Sequence, residues 1–204
     1  MNDSPPIETA ANGGLLATDL PGDNAKLAAH FAALADRYDA DATRHLALAS
    51  AFIAAPTRRV AANGAADHCK QLAQLNTDSA KTLRQLAAHH EKLAGGAAST
   101  APKGGARFQG GAGAPEPTDA NLSALAAKAN TPADHHALEE YFVTAAKRYT
   151  ADANAHATMA QAYQGTRIAQ AADHCVRLVR QLRDSAKEAT ATAAIHKQLA
   201  SVAR

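Results

Sequence analysis

Large apolar residues recur at alternating spacings of three and four along four stretches of this 204-residue chain. In the first stretch the series reads Asn24, Leu27, Phe31, Leu34, Tyr38, Asp41, His45, Leu48 and Phe52. In the third it reads His135, Leu138, Phe142, Ala145, Tyr149, Asp152, His156, Met159 and Tyr163. That rhythm matches one face of an α-helix turned towards a core. Pro56 and Asn63-Gly64 interrupt the first pair of stretches, and Gln164-Gly165-Thr166 the second. These are ordinary helix breakers and caps. They predict helices near 24–54, 61–94, 133–163 and 167–202, each about 45 Å long at about 1.5 Å per residue.

The two halves repeat one another. At an offset of 111 residues, Leu27, Phe31, Arg37, Tyr38, Asp41 and His45 recur as Leu138, Phe142, Arg148, Tyr149, Asp152 and His156. At an offset of 106, Ala65-Ala66-Asp67-His68-Cys69 recurs as Ala171-Ala172-Asp173-His174-Cys175, and Asp78-Ser79-Ala80-Lys81 as Asp184-Ser185-Ala186-Lys187. His90 recurs as His196 and Leu93 as Leu199. Alanine matches cannot produce this ordered set of rarer residues. The expectation is an all-α four-helix bundle, built from two tandemly duplicated antiparallel hairpins at 24–94 and 133–204. Residues 1–23 read as a disordered segment. Residues 95–132 read as a Gly/Ala/Pro linker with a short helix at Asp119–Ala129.

Composition sharpens the fold. Alanine supplies 56 residues, and aromatic residues only 4%. Alanine favours helix, and the scarcity of β-branched residues argues against a sheet. The net charge of +2 comes from interspersed Lys, Arg, Asp and Glu, without the clustered positive charge of a nucleic-acid binder. No apolar run reaches the roughly 18 residues a membrane span requires. Met1 to Pro21 lacks the basic and apolar regions of a signal peptide, so the expected setting is cytoplasmic, or exported if this is a mature form.

The chemistry of interest lies in the seam. In an antiparallel hairpin, facing residues have numbers of roughly constant sum. That sum sets His156 opposite Cys175, His135 opposite His196, His45 opposite Cys69 and Asn24 opposite His90. Imidazole and thiolate are ligands for zinc and copper. With both loops at one end of the bundle, His45, Cys69, His156 and Cys175 would share one layer. Asp41 and Asp152, one turn away, would act as second shell or ligands. Met159 would add a thioether, although the first copy has Leu48 there. His90, His135 and His196 form a second candidate metal site. His68 and His174 point about 100° away from the cysteines and read as flanking residues.

Two other readings compete with a zinc or copper site. Cys69 and Cys175 could form a disulfide joining the hairpins. Alternatively, the polar seam residues satisfy one another and fix helix pairing, leaving a structural or protein-interaction scaffold. Catalysis finds no motif. There is no Cys-x-x-Cys-His for covalent haem, no Glu-x-x-His pair and no phosphate loop between strand and helix. Haem held by two histidines would demand a wider core than alanine-rich helices leave. No cofactor other than a metal ion is expected.

One resemblance is carried by His156, Met159-Ala160-Gln161-Ala162-Tyr163, Ala171 to Cys175 and His196. This pattern resembles uncharacterised alanine-rich helical-hairpin proteins of bacteria, which often carry an export signal. The resemblance covers the second hairpin, and the first with Leu48 and Phe52 substituted. It implies an exported setting and no particular activity.

Overall fold

The computed structural model describes residues 21–54, 59–95, 119–166 and 168–202. The expectations for residues 1–20 and for the Gly-rich stretch at 96–118 fall outside these. The described residues are all-helical: α1 (Pro21–Ala54), α2 (Arg59–Leu93), α3 (Asp119–Lys128), α4 (Pro132–Tyr163) and α5 (Ala169–Val202). Asn63-Gly64 lies inside α2 rather than interrupting the chain, and Pro56 falls outside the described residues.

Local chemistry explains the best-defined ends. Thr131 caps α4: its side chain accepts from the Asp134 backbone N–H, and the Asp134 carboxylate accepts from the Thr131 N–H. Pro132 occupies the first turn, where no N–H is needed. Between α4 and α5, Gly165 adopts φ +76°, a left-handed conformation that costs other residues about 1–2 kcal/mol.

α1 packs against α2, α4 against α5, and α2 against α5. Along α2 and α5, His68 meets Glu188 and Thr82 meets Gln181, so these helices run antiparallel. Gly64 also lies on this side, where a Cβ would stand 3.4 Å from Ile195 of α5, so the two helices approach closely there. The α1–α4 side differs. No described Cα of α1 comes within 8 Å of one in α4, yet long side chains bridge the gap. Arg37 of α1 pairs with Asp152 of α4, and Asp41 of α1 with Arg148 of α4. The partner's number falls as the α1 number rises, so α1 and α4 are also antiparallel. α3 lies against α1 and α4 and buries Leu122 and Ala126.

The seam positions line the interior. Leu27, Phe31, Tyr38, Leu48, Leu138, Phe142, Tyr149 and Tyr163 are all fully buried. Each large anchor fills space that alanine leaves empty, at roughly 1.5–3 kcal/mol per buried side chain.

Candidate functional site

The centre of the α1–α4 seam is a polar knot. The Tyr38 and Tyr149 rings stack with centroids 6.2 Å apart. The Tyr38 hydroxyl donates to Asp152 Oδ2 at 2.6 Å, and Arg37 donates to the same carboxylate. Reciprocally, Arg148 donates to Asp41 Oδ2 at 2.5 Å, and Arg44 to Asp41 Oδ1 at 2.9 Å. Each Arg guanidinium also lies over the neighbouring Tyr ring. The Asn76 amide donates to the Tyr149 hydroxyl at 2.9 Å, and His45 Nε2 lies 3.2 Å from that same oxygen. Burial pushes the Tyr149 phenol up to about 12 and the Tyr38 phenol well above its usual range. Both therefore stay protonated, as donors rather than as phenolates.

Beyond the knot, each end of the seam holds an aromatic and imidazole stack. At one end the Phe142 ring lies between His45 (6.1 Å) and His196 (5.8 Å), and Phe52 lies 5.2 Å from His196. His135 Nδ1 is 3.4 Å from His196 Nδ1. At the other end Phe31 lies between His156 (6.2 Å) and His90 (5.5 Å), with Tyr163 at 5.8 Å from His90. There Asn24 Oδ1 is 2.8 Å from His90 Nδ1. These are the Asn24–His90 and His135–His196 pairings that the hairpin registers predict. Burial lowers His45 to about 3 and His90, His156 and His196 to about 4, so all four imidazoles are neutral near pH 7. His45 Nδ1 and His156 Nδ1 are buried without a hydrogen-bond partner among the described residues.

This geometry corrects the four-ligand layer. His45 stacks on Phe142, and His156 lies 14 residues further along α4, roughly 20 Å away at about 1.5 Å per residue. His45 and His156 therefore belong to opposite ends. Within each end, a phenyl ring separates two of the imidazoles. Asp41 and Asp152 serve guanidinium groups instead of orienting histidines. Among the described residues, no group of three or more His, Cys, Asp or Glu side chains converges to hold a metal ion. Of the second candidate set, His135 and His196 meet, whereas His90 sits at the far end.

The disulfide is corrected as well. Cys69 and Cys175 are both buried free thiols. Cys69 follows His68, whose partner Glu188 lies 13 residues along α5 from Cys175, again roughly 20 Å. That is far beyond the reach of about 7 Å between Cα atoms that a disulfide allows. Burial raises both thiols to about 12, so they behave as small apolar groups.

Three contributors were not legible from spacing alone. His68, read as a flanking residue, lies 2.6 Å from Glu188 and links the hairpins. Arg37 and Arg148 were visible as repeated residues, but their partners were not. A shallow surface groove lined by Val143, Lys147, Thr150, Asn154 and Thr190 offers neither a nucleophile–base pair nor an acid pair. No described helix is long and apolar enough to cross a membrane. Comparison with protein-family models, curated proteins and solved structures finds no match to this chain.

Proposed function

We propose that this chain is a non-catalytic helical scaffold. In this reading it is a four-helix bundle of two duplicated hairpins, whose buried polar residues determine how the hairpins pair. The carrying observation is the reciprocal linkage of Arg37 to Asp152 and Arg148 to Asp41 around the Tyr38–Tyr149 stack. It engages the acids, amides and phenols that a reaction would otherwise employ. A role in holding a protein partner fits this scaffold.

Charge exchange tests the reading. Arg37→Asp alone sets two carboxylates face to face and lowers the urea midpoint. Adding Asp152→Arg restores an opposite pair and recovers most of the loss. A site acting on a ligand gains nothing from that exchange, so a double variant no more stable than Arg37→Asp refutes the pairing role.

A second reading, metal-ion binding without catalysis, is favoured by the His135–His196 approach at 3.4 Å. Zinc or copper would be the ion, since imidazole suits both. Titration of the purified chain with Zn²⁺, Cu⁺ and Cu²⁺ tests it. Stoichiometric uptake abolished by His196→Ala supports the reading, and uptake unaffected by that change removes it.

A further inference from the structure

We propose that the more exposed half of the α1–α4 seam is the seat of this chain's own residues 9–20, an inference that rests on the reading of two duplicated hairpins. The seam is covered unequally. α3 is joined to α4 by Ala129-Asn130-Thr131, so its end lies within about 14 Å of Pro132. The Arg37–Asp152 and Asp41–Arg148 pairs fix an antiparallel register that sets the start of α4 level with the end of α1. α3 therefore lies along the C-terminal half of α1, and it buries Leu122 and Ala126 there. That half of the seam is dry. Leu48 and Ala145 are buried, and the Asp41 and Arg148 side chains are 2% and 22% exposed. The matching positions on the other half are more open. Met159 and Leu34 are only partly buried, and the Asp152 and Arg37 side chains are 23% and 40% exposed. Among the described residues, α3 is the only helix packed against both α1 and α4.

A second copy of the α3 pattern stands upstream of α1. Before and within α3 the chain carries Pro115, Thr118, Ala120, Asn121, Leu125 and Ala126. At an offset of 109 it carries Pro6, Thr9, Ala11, Asn12, Leu16 and Ala17. Pro132 then opens α4, and Pro21 opens α1. The residues that α3 turns towards the core recur in kind. Leu16, Ala17 and Leu20 stand for Leu125, Ala126 and Ala129, all of which pack on the core cluster.

Position favours the same occupant. The ion-pair register sets Pro21 just beyond Tyr163, the last residue of α4. A segment turning back from Pro21 meets α4 between Tyr163 and Asp152, and Met159 lies in that stretch. Twelve helical residues extend about 18 Å, which matches the rise from Tyr163 back to Asp152. Burial of Leu16 and Leu20 against Leu34 and Met159 would dry this half as α3 dries the other. One departure sets the strength. Gly13-Gly14 replaces Leu122-Ser123, which removes an anchor and weakens helix formation, so this seat is held more loosely than that of α3.

The test is amide hydrogen exchange on the full chain, read by mass spectrometry, together with the rate of Met159 oxidation by peroxide. Both are measured on the natural chain and on Leu16→Asp/Leu20→Asp, with circular dichroism to check that the bundle stays folded. In the natural chain the amides of residues 9–20 should exchange at least tenfold more slowly than in an unstructured peptide, at every protein concentration. Leu16→Asp/Leu20→Asp should abolish that protection and speed Met159 oxidation at least threefold. Gly13→Leu/Gly14→Ser, which copies α3, should deepen the protection. Unprotected amides, or protection indifferent to the two aspartates, overturn the proposal. Protection without any change in Met159 oxidation places the segment elsewhere and overturns it too. Protection that fades on dilution gives the seat to a second copy of the chain and overturns docking within one chain. The Arg37→Asp/Asp152→Arg exchange reports on hairpin pairing by itself, so the seat can fail while that reading stands.

Discussion

Asp41 and Asp152 occupy equivalent positions in the two halves, but their surroundings differ, and so should the effect of neutralising each. Asp41→Asn keeps the shape and removes the charge. The Asp41 side chain is only 2% exposed, and its partners Arg44 and Arg148 are 15% and 22% exposed. Without the carboxylate, two guanidinium groups lose the anion they share in a largely dry seam. Removing one member of a buried pair costs about 3–5 kcal/mol. The residual solvent contact of the arginines brings the expectation to the low end, about 3 kcal/mol. Asp152 is 23% exposed and its partner Arg37 is 40% exposed, so solvent screens that pair. An asparagine there still accepts from Tyr38, and the loss should be about 1 kcal/mol. For a domain of this size, each kcal/mol shifts Tm by about 2–4 °C. Asp41→Asn should then melt about 6–12 °C lower, and Asp152→Asn about 2–4 °C lower. Thermal and urea unfolding by circular dichroism measure both, with an unchanged denaturant slope as the check on a common unfolded state. Equal losses at the two positions, or a larger loss at Asp152, would refute the argument from burial.

Two further outcomes follow from the same interior. Burial holds His45 at about 3 and His90, His156 and His196 at about 4 in the folded chain, against 6.5 when exposed. Between pH 6.5 and about 4, the unfolded chain binds protons that the folded chain refuses, so stability falls as pH falls. Each such imidazole contributes about 1.4 kcal/mol per pH unit in that window. The urea midpoint should be flat above pH 7 and drop steeply below 6.5; an unchanged midpoint at pH 5 contradicts neutral burial. Cys69 and Cys175 should react with a disulfide reagent on the order of a hundredfold more slowly in the folded chain than in urea. Rapid labelling of the native chain would place a thiol at the surface.

The helices and their pairing within each hairpin were legible because they depend on local regularities. Apolar spacing sets the face, Gly165 marks a turn, and a constant rise fixes which residues meet. Hence Asn24–His90 and His135–His196 could be anticipated. The approach of one hairpin to the other could not be read from spacing, since a connection of nearly 40 residues reaches either end. The assumption of loops at one end misplaced His45 and His156. A discriminating signal was nonetheless present. With equivalent residues at the same level, Arg37 would meet Arg148 and Asp41 would meet Asp152. The opposite arrangement turns both like-charge encounters into ion pairs. The phenyl rings between imidazoles had no such signal, because Phe31 and Phe142 read simply as core anchors.

The exchange of partners between Arg37–Asp152 and Arg148–Asp41 has a consequence for assembly. A surface whose residue i meets residue j, and whose j meets i, complements itself, as in an isologous dimer. A single hairpin carrying Arg, Tyr and Asp at these three positions would present both halves of each ion pair to a twin placed about a two-fold axis. Joining two such hairpins in one chain adds no contact; it raises their effective concentration and leaves each free to differ, as Asn24 and His135 differ at matching positions.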